Sequence, residues 1–240
     1  MTFATNPAHV IAVDGPTAAG KTTTSRLLAN VLRLNYLESG RAYRLVAYTA
    51  LQYGSELDDE LQLEGLCDEI ISKSGVTALL SSDGSAYPLR SPEVDRAITR
   101  VAGVPGLREK ITQLTRAWAN ESAPCVIEGR DIGTVVFPTS QVKFFLTASP
   151  EVRAYRRHAQ ESGRSYEAVL EDLLRRDKVD SSRAASPLMP ATDANIIDTT
   201  DMSVPEVVDA MLGRCRVHGF SVTVSLARQH VRQDDCTTDE

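Results

Sequence analysis

Lysine is scarce in this chain: 5 lysines stand against 21 arginines. Arginine carries a planar fork suited to bidentate phosphate contacts, so the bias fits anion recognition, although a genome rich in arginine codons would produce it equally well. Basic charge does not dominate. The formal net charge is −6, whereas a general nucleic-acid binder needs a clustered basic surface from which counterions are released. An aromatic and basic stripe able to stack single strands is missing as well. Cysteine is limited to Cys67, Cys125, Cys215 and Cys236. They form no C-x-x-C pair and no metal-ligand spacing, which predicts reduced thiols, two or three of them buried, in a cytoplasmic protein. No apolar run approaches the ~20 residues of a membrane span, and residues 1–9 are too short and polar for a signal peptide. Repeats and low-complexity segments are absent. The 240 residues suit one large α/β domain with a small insert and a real core.

What the chain does have is Gly15-Pro16-Thr17-Ala18-Ala19-Gly20-Lys21-Thr22, a complete G-x-x-x-x-G-K-[ST] phosphate-binding loop. Val10-Ile11-Ala12-Val13 before it reads as a short buried strand. Residues 21–32 after it read as a helix, with Leu27, Leu28, Val31 and Leu32 at helical spacing. A strand, loop and helix in this order aim backbone N–H groups and a positive helix end into one concavity that fits a nucleotide phosphate. Lys21 would reach the β- and γ-phosphates of ATP, and the Thr22 hydroxyl would ligate Mg2+.

Further along, 34–37 reads as a second strand and 41–53 as a helix. Residues 58–74 are acidic and helical in pattern. Val76, Ala78 and Leu80 alternate before a Ser82-Asp83-Gly84-Ser85 turn, which predicts a small β-hairpin over 76–89. Ser91-Pro92-Glu93 opens a helix, and another follows from Pro105 to about Asn120, with Leu107, Ile111, Leu114 and Trp118 in helical period. Residues 125–127 and 142–146 read as buried parallel strands, and 195–199 as a last strand. Ser149-Pro150-Glu151 and Ser203-x-x-Glu206 open helices, and 165–175 is helical. Strands alternate with helices, so the expected fold is α/β, with a mainly parallel sheet covered on both faces. Phe220, Val222, Val224 and Leu226 alternate as in an edge strand, and the polar chain from Arg228 is expected to be disordered.

Five clusters beyond the loop could form an acceptor site: Ser39 with Arg41 and Arg44; Thr99 with Arg108; Gly129-Arg130-Asp131; Arg153, Arg156 and Arg157; and Arg175-Arg176 with Asp180 and Arg183. Ligands of open α/β sheets bind beyond the carboxyl ends of strands. Glu38-Ser39 and residues 128–131 lie at such ends. For Arg153, Arg156 and Arg157, spacing alone leaves a solvated helix face as an equal reading.

From about His9 to Leu212 the chain resembles bacterial-type cytidylate kinase. The resemblance rests on Val13-Asp14-Gly15-Pro16, Glu38-Ser39-Gly40, Val104-Pro105-Gly106-Leu107-Arg108-Glu109, Ser182-Arg183-Ala184 and the long Glu128-Gly129-Arg130-Asp131-Ile132-Gly133-Thr134-Val135-Val136-Phe137-Pro138. It implies that 1–240 form one P-loop kinase domain, a monomer. An acceptor-binding insert is expected near 58–104, an arginine-rich helical lid near 153–183 and a tail near 217–240. It also implies γ-phosphoryl transfer from ATP with Mg2+ to CMP or dCMP, without nucleic-acid or membrane partners. Donor contacts are expected from Gly15 to Thr23 (Gly15, Pro16, Thr17, Ala18, Ala19, Gly20, Lys21, Thr22, Thr23) and from Arg157. Acceptor contacts carried over residue by residue are Ser39, Arg44, Thr99, Arg108, Arg130, Asp131, Arg176, Asp180 and Arg183. Lys21, Arg130 and Arg183 are the expected catalytic groups.

Three departures from the family pattern matter. Ala18 replaces a common glycine, which predicts a negative φ there. Thr99 replaces a common serine and keeps the hydroxyl, and the insert between Gly75 and Asp95 is shorter than in long-insert relatives. The chemistry is coherent with the resemblance: a kinase aligns two phosphates and neutralises developing charge, and an anionic acceptor needs no general base. Asp131 can accept from the exocyclic amine of cytosine while Arg108 donates to its N3 and O2. Uracil would set an acceptor against the carboxylate. A regulatory GTPase is disfavoured because its Asn/Thr-Lys-x-Asp signature is absent; Asp177-Lys178-Val179-Asp180 only mimics it at a helix end. A small-metabolite kinase or another nucleotide kinase is the runner-up.

Overall fold

The computed structural model describes residues 9–80, 87–161 and 163–220. The expected turn at 82–85, the tail strand and Cys236 therefore lie outside the described residues. Five parallel strands form one sheet: β1 (Val10–Asp14), β2 (Asn35–Glu38), β3 (Cys125–Glu128), β4 (Val142–Thr147) and β5 (Asn195–Asp198), in the order β2-β3-β1-β4-β5. Strand β1 is buried throughout, which is why it reads as a continuous apolar run rather than an alternating one. Its odd and even residues serve different cores. Ile11 and Val13 pack with α1 (Lys21–Leu32) and α8 (Val204–Val217); Val10 and Ala12 pack with α2 (Gly40–Tyr53), α3 (Glu60–Leu80), α4 (Pro92–Val101) and α5 (Pro105–Ser122). The remaining helices, α6 (Pro150–His158) and α7 (Tyr166–Ser182), pack against each other.

The helix starts follow local chemistry. Ser91 and Ser149 accept from the N–H groups of Val94 and Val152, each with proline in the first turn. Ser203 and Glu206 complete a reciprocal capping box. Three sequence expectations need correction. Residues 76–80 do not form a hairpin strand: they continue α3, which breaks at Gly75 (φ 79°, ψ 165°) and then buries Leu79 and Leu80 in the core. Val76 and Leu80 are four apart, so the same apolar residues share a helical face as readily as a strand face. Helix α7 runs on to Ser182, past the expected end near 175. Ala18 has φ +62° rather than a negative value, a left-handed conformation that costs an L-residue about 1–2 kcal/mol.

Glycine is required at one point of the loop. Gly15 has φ +146°, and a Cβ there would lie 2.0 Å from the Leu146 carbonyl oxygen of β4. The loop can leave β1 close to its neighbour only because no side chain stands in the way.

Candidate active site

The parallel register brings three carboxyl ends together: Val13 of β1 and Glu38 of β2 both pair with Glu128 of β3. Above them opens a cavity of about 630 Å3, a volume within the range of small-molecule sites. It is lined by the phosphate loop, the ends of β2 and β3, α4, α5 and the helices α6 and α7. Of the residues expected to touch substrates, all but Gly15 and Pro16 line it, Thr23, Ser39, Thr99 and Arg157 included.

On the donor side, the Lys21 ammonium donates to the Pro16 carbonyl at 2.7 Å. Arg130, just beyond β3, reaches back over the loop and donates to the Gly15 carbonyl and the Thr17 hydroxyl, both at 2.5 Å. Thr22 donates to Glu128 Oε1 at 2.7 Å, and the Tyr36 hydroxyl donates to the same oxygen at 2.6 Å. Glu128 Oε2 is buried and has no hydrogen-bond partner among the described residues. Burial pushes the Glu128 carboxyl up, and pushes the Lys21 ammonium down with help from Arg130; each group partly holds the other charged. A hydroxyl and a carboxylate with a spare oxygen are hard ligands of the kind Mg2+ takes in nucleotide sites.

Asp14, the last residue of β1, accepts from the N–H groups of Ile132 and Gly133 at 2.8 and 2.7 Å. These bonds start a π-helical turn over Ile132–Val136 and fix the chain directly after Asp131. Burial raises the Asp14 carboxyl to about 6 against the pull of the two amides.

On the acceptor side, Asp131 Oδ2 is bonded to Arg108 Nη2 at 2.6 Å, both residues being buried. Arg108 lies 5.5 Å over the Tyr43 ring and also donates to the Ala102 carbonyl at 2.9 Å. The adjacent Arg130 turns the other way and pairs with Asp180 at 3.2 Å. Asp180 also holds Arg183 at 2.7 Å. Ser39 donates to the Glu128 carbonyl at 2.8 Å, joining the ends of β2 and β3.

The arginines of α6 are not a solvated face. Arg153 is buried, pairs with Asp177 of α7 at 2.7 Å and donates to the Ala148 and Thr17 carbonyls at 2.9 and 3.3 Å. Arg156 donates to the Thr199 hydroxyl and carbonyl at 2.9 and 2.6 Å. Arg157 donates to Asp95 and Glu161. Arg44 also meets Asp95, at 2.7 Å, and Arg176 donates to the Asp95 carbonyl at 3.0 Å.

The sequence profile of the family described as cytidylate kinase matches residues 11–216. The chain belongs to the cytidylate kinase family. A cytidylate kinase of Corynebacterium glutamicum is 41% identical over 219 residues, covering 85% of this chain and 92% of its own. One from Thermus thermophilus is 42% identical over 217 residues, covering 86% and 98%. Among solved structures, a shikimate kinase from Bacteroides thetaiotaomicron superposes with a TM-score of 0.46 at 14% identity, over 87% of this chain and 96% of its own.

Within this family's cleft, sequence reasoning did not single out Asp95, Tyr36 or Asp14 as site residues. The strand-end rule pointed to Glu128, since it is the last residue of β3. Nothing local marks Asp95, whose partners are 51, 62 and 81 residues away.

Proposed function

We propose that the cleft binds ATP on the phosphate loop and CMP or dCMP between Asp131, Arg108 and the arginines of α2 and α7, and transfers the γ-phosphoryl group to give ADP and CDP or dCDP. The observation that carries this reading is the buried Asp131–Arg108 pair facing the phosphate loop across one cavity. It offers an acceptor beside a fork of donors, the complement of the cytosine edge.

The acceptor phosphate oxygen forms a bond to the γ-phosphorus as the bond to the β–γ bridging oxygen breaks, and the electron pair leaves with ADP. No proton has to be removed from the nucleophile, so the protein's task is alignment and charge neutralisation. Lys21 binds the β- and γ-phosphates. Arg130 bridges the loop and the acceptor side, with Arg183 beside it on Asp180. Arg44 takes the acceptor phosphate, and Arg176 and Asp180 hold the sugar hydroxyls. Thr22 and Glu128 would hold Mg2+, which would supply positive charge to neutralise the ATP phosphates. Helices α6 and α7 form the lid and exclude water. Residues 58–104 form the acceptor insert. A cytoplasmic location suits its buried thiols Cys67, Cys125 and Cys215.

The test is Asp131→Ala with CMP and UMP as competing acceptors. Efficiency with CMP should fall more than with UMP, because UMP also loses a repulsion, and discrimination should change by about 1–3 kcal/mol. Equal losses for both would leave Asp131 only as a support for Arg108.

A further inference from the structure

Asp95 lies in the first turn of α4, 5% exposed, and no donor or acceptor role assigned above uses it. Three guanidiniums from three different helices meet on it. Arg44 of α2 binds Oδ1 at 2.7 Å, Arg157 of α6 binds Oδ2, and Arg176 of α7 stands 3.6 Å from Oδ1 while donating to the backbone carbonyl at 3.0 Å. All three arginines line the cavity. Their other partners are few: the Leu89 carbonyl for Arg44 at 3.0 Å and Glu161 for Arg157.

We propose that Asp95 is a positioning residue for the acceptor phosphate: it fixes Arg44, which takes that phosphate, and ties it to Arg157 of α6 and to the sugar-side Arg176 of α7, joining the insert to both lid helices. This rests on the reading of the cleft as a nucleoside-monophosphate site.

Electrostatics support it. Buried guanidiniums this close repel one another, and a buried charge left without a partner is strongly unfavourable. One carboxylate lowers that cost without cancelling the charge, so positive charge remains for a dianionic phosphate. Burial alone would raise the Asp95 carboxyl, but Arg44, Arg157 and Arg176 together hold it below its ordinary value. The carboxylate is itself well supported. The Ser91 hydroxyl caps α4 at 3.4 Å from the Val94 amide, and the Asp95 amide bonds to the Ser91 carbonyl at 2.9 Å, so the positive end of the helix lies beneath it.

The experiment measures binding of CMP and of cytidine by calorimetry, without ATP, to wild type, Asp95→Asn and Asp95→Glu, with a thermal melt of each. Cytidine has the base and sugar but no phosphate. The expected result is that Asp95→Asn weakens CMP by about tenfold or more, roughly 1.4 kcal/mol. Cytidine affinity should change far less, because Arg176, which holds the sugar, keeps its hydrogen bond to the Asp95 backbone carbonyl in Asp95→Asn, and Asp95→Glu should recover most of the loss. Three results would overturn the proposal: CMP affinity unchanged in Asp95→Asn; CMP bound more tightly, which would make Asp95 a competitor of the phosphate; or CMP and cytidine weakened alike, which would make it a structural residue. The underlying reading fails separately, if wild type binds CMP no better than cytidine.

Discussion

The Lys21 ammonium is pushed below its ordinary range by burial first and by the neighbouring Arg130 second, against the pull of Glu128, Asp14 and Glu38. Part of the population is therefore neutral at mildly alkaline pH in the protein by itself. Phosphates of ATP add negative charge beside it and restore the protonated form. The sign follows: binding ATP takes up protons, and affinity weakens as pH rises through the lowered value. Calorimetry at about pH 8 in two buffers of different ionisation enthalpy should give net uptake; zero uptake or release would contradict this account of Lys21. At this scale the sequence was legible in part. Lys21, Arg130 and Asp131 could be named from sequence because motif and strand end are local signals, and all three line the cavity. Their partners could not, since Asp131 meets Arg108 of α5 and Arg130 meets Asp180 of α7 through tertiary packing alone.

Among the elements, α3 shows where pattern and fold part company. Its second run follows Gly75, whose φ of 79° and ψ of 165° lie in a region open essentially to glycine alone, at a cost of roughly 1–3 kcal/mol for other residues. Among the described residues, no heavy atom beyond the local backbone lies within 4 Å of a Cβ built there, so the penalty for Gly75→Ala is one of backbone conformation rather than of space. We expect that variant to lose roughly 1–3 kcal/mol in urea unfolding. Unchanged or higher stability would mean that the helix passes straight through this point. The alternation of Val76, Ala78 and Leu80 could not reveal the bend, because five residues satisfy either period. Helix starts were legible for the opposite reason: Ser91, Ser149 and Ser203 act on amides three residues away, a distance that sequence contains directly.

For the whole molecule, the sheet order puts β1 between β3 and β4, so the phosphate loop emerges at the centre and Gly129-Arg130-Asp131, just past β3, emerges beside it. The α/β class and parallel sheet could be read from alternating strands and helices. The converging arginines could not, because Arg44, Arg157 and Arg176 belong to separate helices and meet only on Asp95. The residues expected to bind the donor and acceptor phosphates thereby line one cavity, with Arg130 and Asp180 paired in it. The central claim is that this cavity transfers phosphate to a cytosine nucleotide in preference to others. The most direct measurement is ADP release from ATP and Mg2+ with CMP, dCMP, UMP, AMP and GMP supplied singly to the wild-type chain. CMP and dCMP should exceed UMP in kcat/KM by about tenfold or more and exceed the purine nucleotides further. Contradiction would come from UMP or a purine nucleotide matching CMP, or from ADP release that does not depend on an acceptor.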